Sequence, residues 1–177
     1  MKTYQRSALT FFSILILGWL TLQLSTNEYP GTGGILLSGL IFGLPFAVIN
    51  FEEKQKKAKG GILITIFATS SILLGSLAAF FFGPEGPGVE GMKFGLLLGF
   101  FCAAPLTLLI HATYGLSWPI ALLAVVLGAV LPALAGFEEA SEARVKPQLF
   151  ACFWLAMVGA IYSWGIKRGS SPPTGDS

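Results

Sequence analysis

The sequence predicts an all-α fold: a polytopic membrane protein made of a bundle of six transmembrane helices. Of the 177 residues, 54% are hydrophobic and only 11% are charged, and the mean hydropathy is +0.73. The charged side chains fall in six short stretches, separated by long uncharged runs. Such runs cannot supply the polar face that a helix on a soluble domain needs. The composition therefore excludes a soluble globular domain, a disordered chain and a nucleic-acid-binding protein.

The uncharged runs give the number and position of the helices. They cover residues 7–27, 29–51, 60–84, 94–137 and 147–166. A helix that crosses the hydrocarbon core needs about 20 residues, so the run 94–137 holds two helices, the second beginning near Pro119. The predicted helices are 8–24, 33–51, 61–82, 94–112, 117–136 and 148–166. Residues 1–168 then form one transmembrane domain, and the Ser-, Pro- and Gly-rich tail 169–177 is expected to be disordered.

The basic residues predict the orientation, because Lys and Arg are retained on the cytoplasmic side. Placing the N-terminus inside puts eight of the 11 basic residues in cytoplasmic segments. These eight are Lys2, Arg6, Lys54, Lys56, Lys57, Lys59, Lys167 and Arg168. We therefore expect both termini to be cytoplasmic, in an inner or plasma membrane. Residues 23–27 lack a good cleavage site, so helix 1 is interpreted as an uncleaved anchor; the alternative, a signal peptide, would leave five helices.

Short matches between the two halves indicate a 3+3 inverted repeat. Leu-Pro occurs at 44–45 and 131–132, and Phe-Glu-Glu at 51–53 and 137–139. Helices 1–3 would correspond to helices 4–6, and a unit with an odd number of spans must be inverted in its second copy. Chance similarity between apolar segments is the alternative.

Small residues at four-residue spacing predict close helix packing, which in lipid depends on near approach of backbones. The longest such groove is on helix 4, and shorter ones lie on helices 2, 3 and 5. Two interpretations remain open: packing inside the bundle, or an interface with a partner protein or a second copy. The predicted packing residues are Gly39, Gly43, Gly75, Gly91, Gly95, Gly99, Ala103 and Gly128.

Three prolines interrupt predicted helices: Pro45, Pro105 and Pro132. Each removes a backbone donor, and in a membrane the freed carbonyl must face protein or a wet cavity. They predict a central cavity or hinge, near which we also place His111 and Asn50. Simple kinks that improve packing are the alternative.

No residue pattern predicts chemistry. His111 is the one ionisable residue inside a predicted helix, which argues against a proton pump, a carboxylate-coupled antiporter and a voltage sensor. Cys102 and Cys152 lie on different helices at different depths, so no redox pair is expected. We therefore predict no catalytic, cofactor or metal site, and no enzymatic activity.

Two functional classes remain open. The first is a transporter-like or solute-binding bundle for a neutral or apolar solute, and the second is a non-catalytic accessory or scaffold subunit of a membrane complex. The size and six-helix layout are similar to those of small bacterial uptake subunits, such as the substrate-capture components of energy-coupling transporters. The expected partners are the lipid bilayer and, for the second class, another membrane protein or a second copy.

Overall fold

In the computed structural model, residues 2–24, 32–51, 54–84, 88–138 and 147–166 are described. Their regular structure is six α-helices, so the prediction of an all-helical chain with six helices is confirmed. The expected disordered tail 169–177 lies outside the described residues, as do 52–53 and 139 of the Phe-Glu-Glu matches. The helices are α1 (Thr3–Leu24), α2 (Thr32–Asn50), α3 (Lys54–Phe82), α4 (Val89–Tyr114), α5 (Trp118–Glu138) and α6 (Pro147–Gly165).

Three helices extend well beyond their predicted starts. α1 begins at Thr3 instead of residue 8, α3 at Lys54 instead of 61, and α4 at Val89 instead of 94. The predicted limits followed the first charged side chain. Lys, Arg, Glu and Gln are good helix formers, so each helix continues through the charged stretch beside its apolar segment.

Three of the helices are long and apolar enough to cross a membrane. The qualifying segments are Ala58–Phe82 of α3, Val89–Tyr114 of α4 and Trp118–Gly136 of α5. Only about a third of each segment is buried inside the protein, and the outward side chains include large apolar ones such as Leu108 and Leu122. The described apolar segments of α2 and α6, Leu37–Asn50 and Leu149–Gly165, are shorter.

The helices form a ring in chain order. Each packs against the next, α6 closes the ring against α1, and α2 also contacts α6 across it. Successive helices are antiparallel, because one end of the ring joins the start of α1 to the ends of α2 and α6. At the same end Phe51 after α2 stacks on Tyr114 of α4, and Leu116 before α5 pairs with Ile166 after α6. We call this end the polar end, after the buried polar side chains it contains.

The centre of the ring is filled by aromatic side chains from α2 and α6. Phe42 and Phe46 stack with their ring centroids 5.6 Å apart, one helical turn from each other on α2. The ring of Tyr162 meets both edge-on, at 6.2 Å. These three side chains are fully buried and fix α2 against α6 between the two halves of the chain.

Candidate functional site

A small cavity lies beside Phe42, between α2, α3, α4 and α6. The space open to the centre of a water-sized molecule is about 20 Å³, enough for one such molecule or a few heavy atoms. Its wall comes from both halves of the chain, and no residue of α5 contributes to it. The lining residues are Phe42, Ala68, Ile72, Cys102, Ala103, Leu106, Trp154, Leu155 and Val158.

Pro105 lies on α4 at the level of the cavity. The α4 side of the wall comes from residues that precede and follow it in the chain: Cys102, Ala103 and Leu106. A proline inside a helix lacks the backbone N–H and pushes away the carbonyl one turn earlier, here that of Phe101. The small side chains of Ala68 and Ala103 then leave space opposite Trp154 that larger residues would fill.

Trp154 is a lining residue whose side chain carries a polar atom without a partner. Its side chain is only 8% exposed, and its Nε1–H has no hydrogen-bond acceptor among the described residues. The thiol of Cys102, by contrast, lies 3.9 Å from the carbonyl of Ile72. A buried donor without an acceptor costs roughly 1–3 kcal/mol, so Trp154 is an exception that requires an explanation.

A triangle of hydrogen bonds forms part of the polar end. Thr10 Oγ1 donates to Ser163 Oγ at 3.2 Å, and Ser163 Oγ donates to Asn50 Oδ1 at 2.7 Å. Asn50 Nδ2 closes the triangle on Thr10 Oγ1 at 3.4 Å and also reaches the carbonyl of Phe46 at 2.9 Å. The triangle joins α1, α2 and α6 through buried side chains.

Arg6 departs from the expectation that charged residues lie outside the helices. It lies in the first turns of α1, only 4% exposed, and its Nη2 is 3.4 Å from the carbonyl of Ile166. Ser7 donates to the carbonyl of Ala160 at 2.8 Å. The carbonyls at the end of α6 carry partial negative charge, which a guanidinium from the neighbouring helix compensates. The beginning of α1 is thus bound to the end of α6.

Tyr162 connects the cavity level with this polar region. Thr107 Oγ1 lies 2.7 Å from the carbonyl of Ala103 and 2.6 Å from the Tyr162 hydroxyl, with which it shares a hydrogen bond. The Tyr162 hydroxyl also lies 3.5 Å from the same carbonyl. Ala103 itself lines the cavity. The polar groups next to the cavity are therefore paired within the bundle, except for the indole of Trp154.

His111 is not part of the cavity wall. Its Nδ1 lies within hydrogen-bond distance of the carbonyl of Leu116, which can only accept, so Nδ1 carries the proton. The imidazole also stacks on Trp118 with 4.2 Å between the ring centroids. Between them Gly115 ends α4 in the left-handed conformation, with φ 69°. His111 thus fixes the turn from α4 to α5.

The three prolines do not converge on one site. Pro105 interrupts α4 at the cavity, and Pro45 is buried on α2 about one turn from Phe42. Pro132 instead lies between α5 and α4: its carbonyl faces Gly95, where a Cβ would clash with it. The structure thus places Pro105 and Pro45 near the cavity and Pro132 at the interface of α4 and α5.

The predicted packing residues lie where neighbouring helices approach each other. On α4, Gly95 faces the carbonyl of Pro132 and Gly99 that of Gly128. Pro132 has no N–H to bond the carbonyl of Gly128 one turn earlier. Gly99 leaves room for this free carbonyl beside the α4 backbone. The remaining pairs are Gly91 with Gly136, Gly128 with Ala103, Gly39 with Thr69, Gly43 with Thr65, and Gly75 with Cys102.

The sequence interpretation missed most of the polar residues described above: Arg6, Thr10, Trp154, Tyr162 and Ser163. One signal was available, since polar side chains in apolar helices are costly and normally face the interior. Within the described ranges, no group of three His, Cys, Asp or Glu side chains is arranged to hold a metal ion. No protein family model matches the chain, and no curated protein or solved structure shows significant similarity to it.

Proposed function

We propose that the chain is an integral membrane protein in which all six helices span the bilayer and both termini are cytoplasmic. Three helices of suitable length and composition support the first part. The antiparallel order of neighbouring helices would place the segments with eight of 11 basic residues on one side, the side of the polar end. A reporter enzyme that is active only after export, fused after residue 177, should be inactive. Activity of this fusion would contradict the orientation.

We also propose that the two halves are inverted copies of a three-helix unit. The contacts α1–α2, α2–α3 and α1–α6 have counterparts in α4–α5, α5–α6 and α4–α3, which supports the correspondence. The sense of rotation of the ring departs from it, because a two-fold axis in the membrane plane would reverse that sense in the second half. The contact between α2 and α6 is another departure, since α3 and α5 make no comparable contact in the described ranges. An inverted pair would place a solute site between its halves, near the bilayer midplane.

Within this architecture, the protein binds and passes a small neutral or apolar solute. The observation that carries this proposal is the cavity at the level of Pro105, whose wall is built from both halves. Its apolar lining excludes ions, because an unpaired charge there would lose its hydration without compensation. Its volume fits only a few heavy atoms, so this conformation would be the closed one.

Movement of the halves against each other would open the cavity. The contacts between them are formed by α1 with α6, α3 with α4, and α2 with α6. At the polar end the α1–α6 contact is held by Arg6, Ser7 and Thr10. Separating it would break several buried hydrogen bonds at once, which makes opening a discrete step.

The hypothesis of an accessory or scaffold subunit was based on small-residue grooves that a partner protein could occupy. The small-residue grooves of α2, α3, α4 and α5 are covered by neighbouring helices of the same chain. A partner protein would therefore have to bind the bundle elsewhere.

Cys102 allows a direct test, because its thiol lines the cavity whereas Cys152 does not. Proteoliposomes are mixed with dimethyl sulfoxide, a compact neutral solute with a hydrogen-bond acceptor and no donor, and solute entry is followed by stopped-flow light scattering. We expect entry to be faster than in protein-free vesicles. Mercuric chloride should abolish the difference in the wild type and in Cys152→Ser, but not in Cys102→Ser. Entry no faster than in protein-free vesicles, or equal inhibition of Cys102→Ser, would contradict the proposal.

A further inference from the structure

We propose that Trp154 selects the solute, by donating a hydrogen bond from its indole N–H to one acceptor atom on an otherwise apolar molecule. The inference rests on the proposed role of the cavity and narrows its substrate class. Two independent observations meet at Trp154: the residue lines an apolar cavity between the halves, and its buried indole N–H has no acceptor among the described residues.

The other polar groups around the cavity cannot serve this purpose. The hydroxyls of Thr107 and Tyr162 bond to each other and to the carbonyl of Ala103. The thiol of Cys102 is a weak donor directed at the carbonyl of Ile72. Trp154 is therefore the described group at the wall with hydrogen-bonding capacity to spare.

The chemistry of an indole defines the ligand. Its N–H only donates, so the partner must present an acceptor such as a carbonyl or ether oxygen. The rest of the ligand meets the side chains of Phe42, Ile72, Leu106, Leu155 and Val158, which offer no polar atoms. A donor on the ligand would remain unpaired there, at a cost comparable to that of a buried donor. The geometry thus favours a compact neutral molecule with an acceptor and no donor.

Acetone and isobutene form a matched pair of probes, because they have the same shape and differ in the carbonyl oxygen. The protein for this test retains Trp154 as its one tryptophan; the exposed Trp19, Trp118 and Trp164 are replaced by Phe. NMR in lipid nanodiscs then follows the indole N–H of Trp154 and the methyl groups of Ala68 and Val158, which line the cavity.

We expect both probes to shift the methyl signals, and acetone alone to move the indole proton downfield. In the wild-type background, Trp154→Phe should weaken acetone binding about fivefold to tenfold, the effect of one hydrogen bond, and leave isobutene binding unchanged. Trp164→Phe is the matched control and should alter neither. The indole signal itself keeps the inference testable if Trp154→Phe does not fold.

Three results would overturn the inference. If acetone shifts the methyl signals but not the indole proton, Trp154 is not the donor, although the proposed solute binding stands. If neither probe shifts the methyl signals, the cavity binds neither molecule and the proposed function fails as well. If the indole proton is hydrogen-bonded before any probe is added and neither probe changes it, Trp154 binds only a fixed water.

Discussion

At the scale of single residues, the hydrogen-bonded triangle of Thr10, Asn50 and Ser163 is where the bundle depends most on individual polar atoms. Each of its members lies on a different helix, and all three are buried. Inside a low-dielectric interior a complete set of hydrogen bonds stabilises the structure, whereas a partly completed set is costly. Removing one member therefore affects the other two.

Ser163→Ala should lower the free energy of unfolding by about 1–3 kcal/mol, because it leaves buried groups of Thr10 and Asn50 unpaired. The measurement is equilibrium unfolding in detergent. Ser70→Ala is the matched control, since Ser70 lies on the exposed face of α3, and it should be close to neutral. Equal stability of the two variants would show that the triangle contributes nothing.

At the scale of the helices, α4 and α5 make the most extensive contact between any two of the described helices. Their interface repeats one motif: a glycine on one helix faces a backbone carbonyl of the other, at Gly95, Gly99 and Gly136. Such contacts bring Cα–H groups to carbonyl oxygens, a weak attraction that recurs at tight helix pairs. A side chain at these positions would force the helices apart.

Gly95→Ala should destabilise the protein by about 1–3 kcal/mol, because its Cβ would overlap the carbonyl of Pro132 and the interface would be overpacked. Gly61→Ala on α3 is the control. There a Cβ would meet only the methyl group of Ala47, at 3.2 Å, and the better helix propensity of Ala, worth up to about 1 kcal/mol, offsets the contact. Thermal unfolding in detergent compares them; a Gly95→Ala protein as stable as Gly61→Ala would refute the packing role.

The helices were predictable from the sequence to a greater extent than the site. The uncharged runs indicate all six helices, because charge is excluded from apolar segments whatever their neighbours are. They do not indicate which side of a helix faces inward, since side chains toward lipid are as apolar as those toward the core. Leu106 lines the cavity and Leu108 points outward, yet nothing in their composition separates them. The polar residues Thr10, Ser163 and Tyr162 do indicate the inward side of their helices, because polar side chains in apolar helices face protein.

At the scale of the whole molecule, the proposed function requires the halves 1–3 and 4–6 to move as units. α1 and α6 meet between the halves, whereas α2 and α3 meet within the first half. Transport therefore requires the α1–α6 contact to separate at one end and the α2–α3 contact to persist. Cross-links placed at each contact distinguish this motion from a rigid bundle.

Gly18→Cys creates a cross-link between the halves, because a Cβ at this α1 position would lie 3.1 Å from the Cβ of Cys152 on α6. The control pair, Ala47→Cys with Gly61→Cys, joins α2 to α3 across a Cβ separation of 3.2 Å in a protein whose native cysteines are replaced. Both separations are slightly below the usual disulfide range, so each requires a small adjustment of the backbone. Oxidation of the first pair should stop the entry of dimethyl sulfoxide into proteoliposomes, and a thiol reductant should restore it. Oxidation of the control pair should leave entry unchanged, since rigid-body motion does not alter contacts inside one half. Undiminished entry with the α1–α6 cross-link formed would show that the halves do not separate at this contact.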